Sequence, residues 1–207
     1  MPAIETVVFD VGNVLLDWNP RHLYRKLFAD EERMEWFLAN ICTSAWNLEQ
    51  DRGRSFAEAV AELTSRHPEW TREIRAFDDR WAETVAGEIA GSVELLSRLK
   101  VNGVPIYAIT NFSREKFAEA LSRFAFLRDF EGVVVSGDEG LLKPDAAIYR
   151  LFLARYGKQA SRCLFIDDSA RNVEGARRVG MQALRFLGPA ELARDLASFG
   201  MLEGPRA

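Results

Sequence analysis

Val7-Val8-Phe9-Asp10-Val11-Gly12-Asn13-Val14-Leu15-Leu16-Asp17 is the stretch that decides the fold. A short apolar run that stops at an acid and a glycine reads as a buried strand whose tip presents a carboxylate, with a turn behind it. Far downstream, Cys163-Leu164-Phe165-Ile166 ends the same way, at Asp167-Asp168. Adjacent carboxylates at a strand tip repel unless a positive charge offsets them. Two acid-tipped strands in a chain that alternates strands with helices point to a divalent-cation site at the carboxyl edge of a parallel sheet. Such a site suits phosphate chemistry.

Outward from these tips the chain reads as a split core and an insert. The first strand covers about residues 5 to 10. From Asn19-Pro20 to Gly87 the pattern is helical throughout, with Leu23, Leu27, Phe28, Met34, Phe37 and Leu38 at helical spacing. Ser55 followed by Glu58 predicts a capping box, and His67-Pro68 breaks the helix that it opens. No strand is predicted in this stretch. Beyond it, strands at 104–109, 132–136, 162–166 and 182–186 alternate with helices at 92–100, 113–124, 144–156, 170–179 and 190–198. Pro144 is placed in the first turn of its helix. Crossovers of this kind give an α/β fold, a doubly wound parallel sheet with an inserted all-helical subdomain. The boundaries are 1–16 and 88–207 for the core and 17–87 for the insert.

Composition narrows the function. A chain of 207 residues can bury a sizeable core, and its 48% hydrophobic and 28% charged residues are ordinary for a soluble protein. A formal net charge of −4 leaves no basic footprint, which argues against nucleic acid as a partner. Cys42 and Cys163 form neither a metal spacing nor a disulfide framework, which favours a reducing, cytoplasmic setting. The first residues lack a basic start and a long apolar run, so no signal peptide is expected, and no segment is long enough to span a bilayer.

Two further strand ends carry polar residues. Thr110-Asn111 follows Ile106-Tyr107-Ala108-Ile109 and reads either as a helix cap or as a ligand pair. Lys143 precedes Pro144 at a helix start, where a cation is unfavourable unless an anion sits nearby. All four polar sites fall at carboxyl ends of strands or just beyond.

In this order and spacing the chain resembles the haloacid dehalogenase-like hydrolase superfamily. Phe9-Asp10-Val11-Gly12-Asn13-Val14-Leu15 is similar to its first motif, Ile109-Thr110-Asn111 to the second, Lys143-Pro144 to the third and Ile166-Asp167-Asp168-Ser169 to the fourth. The helical insert matches the cap of that superfamily's first cap class, over a Rossmann-like core. The full wording is most similar to a bacterial subgroup of sugar-phosphate phosphatases that includes an α-glucose-1-phosphate phosphatase. The resemblance implies a Mg²⁺-dependent phosphatase acting on a small phosphorylated metabolite. Asp10 would be the nucleophile that takes the phosphoryl group. Asp10, the Gly12 carbonyl and Asp168 would hold Mg²⁺, with Asp167 acting through water. Lys143 would neutralise charge, and Thr110 with the Asn111 amide would hydrogen-bond a phosphoryl oxygen. No oligomeric state is implied.

Gly12 departs from the pattern, which has an aspartate there to protonate the leaving oxygen and later activate water. Losing such a group typically costs about 10²–10⁴-fold. On that basis aryl phosphates should outpace alkyl phosphates. Asp17 fits local hydrogen bonding at the cap entrance. His22 and His67 lie in the cap, where a lone histidine is more often a packing or surface residue than a base. Trp46, with Asp51-Arg52-Gly53, lies where such caps line the substrate pocket, and Arg52 is the cap residue best suited to contact a polar substrate; a core tryptophan and a turn are the competing readings. Trp18, Trp36, Trp70 and Trp81 most simply pack the cap helices, and Asn172 either orients the acid pair or lies on a helix surface. Two other functions remain open: a metal-free 2-haloacid dehalogenase with the same nucleophile, and a non-catalytic binding protein.

Overall fold

The computed structural model describes residues 3–202. The chain opens with β1 (Thr6–Phe9), turns, and continues as β2 (Leu16–Trp18). Five helices follow: α1 (Pro20–Tyr24), α2 (Glu31–Asn40), α3 (Ser44–Asp51), α4 (Phe56–Arg66) and α5 (Thr71–Asp79). Strand β3 (Val85–Glu88) and helix α6 (Ala90–Val101) lead back to the core. There the order is β4 (Ile106–Thr110), α7 (Arg114–Arg123), β5 (Gly132–Val135), α8 (Ser136–Glu139) and α9 (Ala146–Arg155). It ends with β6 (Cys163–Asp167), α10 (Ala170–Arg178), β7 (Gln182–Arg185) and α11 (Pro189–Ser198).

The main sheet has the order β5-β4-β1-β6-β7, and every pairing in it is parallel. The central strand shows why the sheet is covered on both faces. Val7 and Phe9 belong to one buried cluster with Leu95, Leu96 and Leu99 of α6 and Leu192 and Leu196 of α11. Val8 belongs to the other, with Ile148, Tyr149 and Phe152 of α9 and Val173 of α10. A continuous apolar run is what alternating side chains need when both faces are dry. Registers of Phe9 with Ala108 and with Ile166 bring the carboxyl ends of β4, β1 and β6 level. From β1 the chain runs to β4 and β5 on one side and then returns to β6 and β7 on the other. The ends of β1 and β6 therefore flank the topological switch point, where ligands bind in such sheets.

The insert is held by its own aromatic cluster. Tyr24 and Phe37 lie 5.1 Å apart between ring centroids, Phe37 and Trp70 5.3 Å, and Trp46 and Phe77 5.2 Å. The capping box at α4 forms as the sequence predicts, with Ser55 and Glu58 each bonding the other's backbone N–H. Two expectations are corrected. Val85–Glu88 is a strand, paired antiparallel with Leu16–Trp18, so the stretch up to Gly87 is not helical throughout. This ribbon straddles both sequence-drawn boundaries of the insert. Pro144 also lies outside its helix: α9 starts at Ala146 behind the cap residue Asp145, whose side chain accepts the Ala147 N–H. Residues 1–2 and 203–207, the outer ends of the core segments, lie outside the described residues.

Candidate active site

Strand register delivers three polar groups to one edge. Asp10 follows β1, while Thr110 and Asp167 end β4 and β6 on either side of it. Lys143 comes from the turn before α9 and is fully buried between two of them. Its Nζ lies 2.8 Å from Asp10 Oδ1 and 2.7 Å from Asp167 Oδ2. The anion that excuses this lysine is thus a pair of strand-tip acids. Asn111 fixes the loop that carries it. Its Nδ2 donates to the Lys143 carbonyl at 3.1 Å, and its Oδ1 accepts the Lys143 N–H at 2.8 Å.

Carboxylate oxygens of Asp10, Asp167 and Asp168 all come within 4.8 Å of one another. Burial pushes the Asp10 carboxyl up; Lys143 pulls it down, and the neighbouring Asp167 and Asp168 raise it again. Asp168 is also raised, by burial first and then by Asp167. Burial opposes the charge on Lys143, but Asp10 and Asp167 outweigh it and the pKa rises. The lysine therefore stays charged, and the carboxylates remain short of positive charge.

The donor set fits a hard cation. Mg²⁺ takes oxygen ligands, usually one or two carboxylates with water and phosphate. Asp167 is already engaged: Oδ1 accepts the Ser169 N–H at 2.8 Å, and Asn172 Nδ2 lies 3.1 Å from both of its oxygens. That leaves Asp168 and Asp10 the freer carboxylates; Asp10 Oδ2 takes no hydrogen bond among the described residues. Thr110 adds an anion-seeking group, because its hydroxyl is buried without any hydrogen-bond partner among the described residues. A buried orphan of this kind calls for an explanation, and a bound phosphoryl oxygen supplies one.

A cleft of ≈ 430 Å³, open to solvent, joins this edge to the insert. Gly12, Asn111 and Ser113 line it from the core, and Asp51, Phe56 and Trp81 from the other side. Trp18 and Lys116 also line it, so Trp18 and Trp81 do more than pack helices. Two pocket expectations are corrected. Trp46 is only 7% exposed, packs edge-on against Phe56 and Phe77, and lies outside the cleft lining, so the core reading holds for it. Arg52 faces solvent, with its side chain 52% exposed and Glu49 3.8 Å away.

The residue that does reach the cleft is the one before it, Asp51. Burial pushes its carboxyl up to about 7, against the pull of the Ser113 backbone N–H and of Lys143. The sequence places Asp51 in the Asp51-Arg52-Gly53 turn beside the pocket but assigns the contact to Arg52; the acid's place on the last turn of α3, against the helix dipole, is the signal passed over. Asn172 proves to orient Asp167, and Asp17 bonds His22 at 3.1 Å at the cap entrance. Neither His22 nor His67 lines the cleft.

The model of the haloacid dehalogenase-like hydrolase family matches residues 4–180. The sesquiterpene phosphatase astK of Aspergillus oryzae is 28% identical over 185 residues, which cover 89% of this chain and 90% of that protein. A phosphoglycolate phosphatase of Caulobacter vibrioides is 30% identical over 155 residues, 73% of this chain and 60% of that protein. Among solved structures, the HAD family enzyme bt-2542 of Bacteroides thetaiotaomicron, in complex with magnesium and inorganic phosphate, superposes with a TM-score of 0.68. It is 18% identical, and the match covers 88% of this chain and 94% of that one. With the four motifs gathered at one sheet edge and a family match over most of its length, the chain belongs to the haloacid dehalogenase-like hydrolases.

Proposed function

We propose that the protein is a Mg²⁺-dependent phosphatase acting on a small phosphorylated metabolite, with sugar phosphates as the leading class. The observation that carries this reading is the imbalance of charge at the sheet edge. Three carboxylates share one lysine, beside a buried hydroxyl that lacks a partner. A divalent cation and a phosphoryl group complete both. Mg²⁺ held by Asp10, Asp168 and the Gly12 carbonyl, with Asp167 behind a water, would neutralise phosphoryl charge and polarise the phosphorus centre.

The chain's own residues do the rest. An Asp10 carboxylate oxygen attacks phosphorus and takes the phosphoryl group as an aspartyl phosphate, which water then opens. The Thr110 hydroxyl and the Asn111 backbone amide donate to phosphoryl oxygens. Lys143 favours the ionised form of the nucleophile and fixes its position, while the Asn111 side chain holds Lys143. Residues 17–87 act as a cap that closes the cleft over the ester. Two buried, unpaired cysteines fit a reducing, cytoplasmic setting, and no helix among the described residues is long and apolar enough to cross a membrane.

Metal-free 2-haloacid dehalogenation is the second reading, favoured by one observation: Gly12 brings no acid, and a departing halide needs no proton. A panel of phosphorylated metabolites and 2-haloacids, assayed for phosphate and halide with Mg²⁺ or with chelator, separates the two. Phosphate release that stops in chelator is the expected result. Halide release without metal, or full phosphate turnover in excess chelator, overturns the proposal.

A further inference from the structure

Phosphate-ester hydrolysis has a proton problem that the sheet edge does not solve. When the phosphorus–oxygen bond breaks, the electron pair goes to the leaving oxygen, and an alkoxide leaves poorly unless it is protonated as it departs. Gly12 offers no acid. Its conformation is also not one that only glycine can adopt, and a Cβ built there would meet nothing within 4 Å. The space beside Asp10 is therefore open toward the cleft rather than filled by another part of the chain.

Two titratable side chains line that cleft, Asp51 and Lys116. Lys116 is committed elsewhere: its Nζ lies 2.6 Å from Asp78 Oδ1, donates to the Asp78 carbonyl at 3.0 Å, and sits over the Phe56 ring. Asp51 is held by neutral donors alone. It has no ion-pair partner among the described residues: its carboxyl is held only by Asn47 Nδ2, at 3.3 Å, and by the Ser113 backbone N–H, and both residues line the cleft.

The backbone of Asp51 is fixed to the core. The Ser136 hydroxyl, fully buried at the end of β5, donates to the Asp51 carbonyl at 2.5 Å and accepts the Phe112 N–H at 2.9 Å. Phe112 directly follows Asn111, so a single hydroxyl ties the end of α3 to the second motif. The next turn lies flat on the core because Gly53, at φ +115°, has the Gly137 carbonyl 3.1 Å from where a Cβ would stand. A side chain there would strain the turn, both by its φ and by crowding the Gly137 carbonyl.

We propose that Asp51 is the general acid–base of this enzyme, supplied by the cap in place of the carboxylate that Gly12 lacks. The proposal rests on the phosphatase reading. In the first half-reaction the Asp51 carboxylic acid gives its proton to the leaving oxygen as the Asp10–phosphorus bond forms and the ester bond breaks. The alcohol departs with that proton. In the second, the Asp51 carboxylate takes a proton from the water that attacks phosphorus. The Asp10–phosphorus bond breaks, inorganic phosphate leaves, and Asp51 is again protonated. A carboxyl held by burial at about 7 is poised to serve both halves at neutral pH.

The test compares wild type, Asp51→Asn, Asp51→Glu and Asp51→Asn/Gly12→Asp on a series of aryl and alkyl phosphates with Mg²⁺. Rates are normalised to folded protein, checked for each variant by its melting curve. Wild type should depend only shallowly on leaving-group pKa, in place of the steep dependence that Gly12 alone would impose. Asp51→Asn should lose about 10²–10⁴-fold on alkyl phosphates yet release p-nitrophenol from p-nitrophenyl phosphate in a burst followed by slow turnover. Asp51→Glu, and Gly12→Asp in the Asn background, should each recover at least part of the alkyl rate. A wild type that releases no phosphate from any ester sinks the phosphatase reading itself. An active wild type whose leaving-group dependence is unchanged in Asp51→Asn overturns the assignment of Asp51 alone. So does a loss equal on aryl and alkyl esters, or one shared in full by Asp51→Glu.

Discussion

Replacing Lys143 by methionine removes the one cation that, among the described residues, bridges the two buried acids Asp10 and Asp167, and its consequence can be sized. The two ion-pair contacts are 2.8 and 2.7 Å long, and Coulomb's law at an effective dielectric near 20 makes each worth about 6 kcal/mol gross. Desolvation of the ammonium offsets most of that sum, and breaking a buried pair by removing one partner leaves a net loss of about 3–5 kcal/mol. The variant also acquires a pH signature. Burial already raises Asp10 above its unfolded value, and loss of Lys143 raises it further. A carboxyl raised in the folded state gives stability that is fully present below the unfolded pKa and is lost as pH rises through the folded one. The deficit against wild type should therefore be smallest near about pH 4 and widest above about pH 7. Urea unfolding of both proteins in chelator across that range measures it, and excess Mg²⁺ should narrow the gap. A deficit under about 1 kcal/mol at every pH would refute the reasoning, because surface ion pairs are worth that much and buried ones are not.

Three further substitutions sort site from scaffold. Thr110→Val should leave thermal stability unchanged or raise it, since the hydroxyl has no protein partner, while inorganic phosphate binds more weakly by calorimetry. Asn111→Ala removes both hydrogen bonds to the Lys143 backbone and should lower the urea-derived stability by about 2 kcal/mol. Arg52→Ala should change stability by less than about 1 kcal/mol and leave KM unmoved, because the side chain is exposed and outside the cleft.

Much of this molecule was legible in its sequence because burial on two faces leaves a plain signature. Val7-Val8-Phe9 and Cys163-Leu164-Phe165-Ile166 could hardly be anything but central strands, and their acids had to sit at the carboxyl edge. The ribbon of Leu16–Trp18 and Val85–Glu88 was not legible. Its strands are short, and Val85-Ala86-Gly87-Glu88 has neither the length nor the alternation to stand out from flanking helices. The cleft was harder still. Trp18, Trp46 and Trp81 are alike as residues, and only the packing of insert on core sends Trp18 and Trp81 to the cleft and Trp46 to the interior. Arg52 was the more conspicuous neighbour of Asp51, but α3 ends with Asp51 turned inward and Arg52 outward.

The central claim, that Asp10 carries the phosphoryl group, is tested most directly by acid-quenching the enzyme during turnover of p-nitrophenyl phosphate with Mg²⁺ and mapping its peptides by mass. The account requires a phosphoryl group on Asp10 that appears as nitrophenol is released and decays as inorganic phosphate forms. Inorganic phosphate formed at the full rate with Asp10 unmodified at every time point would contradict it.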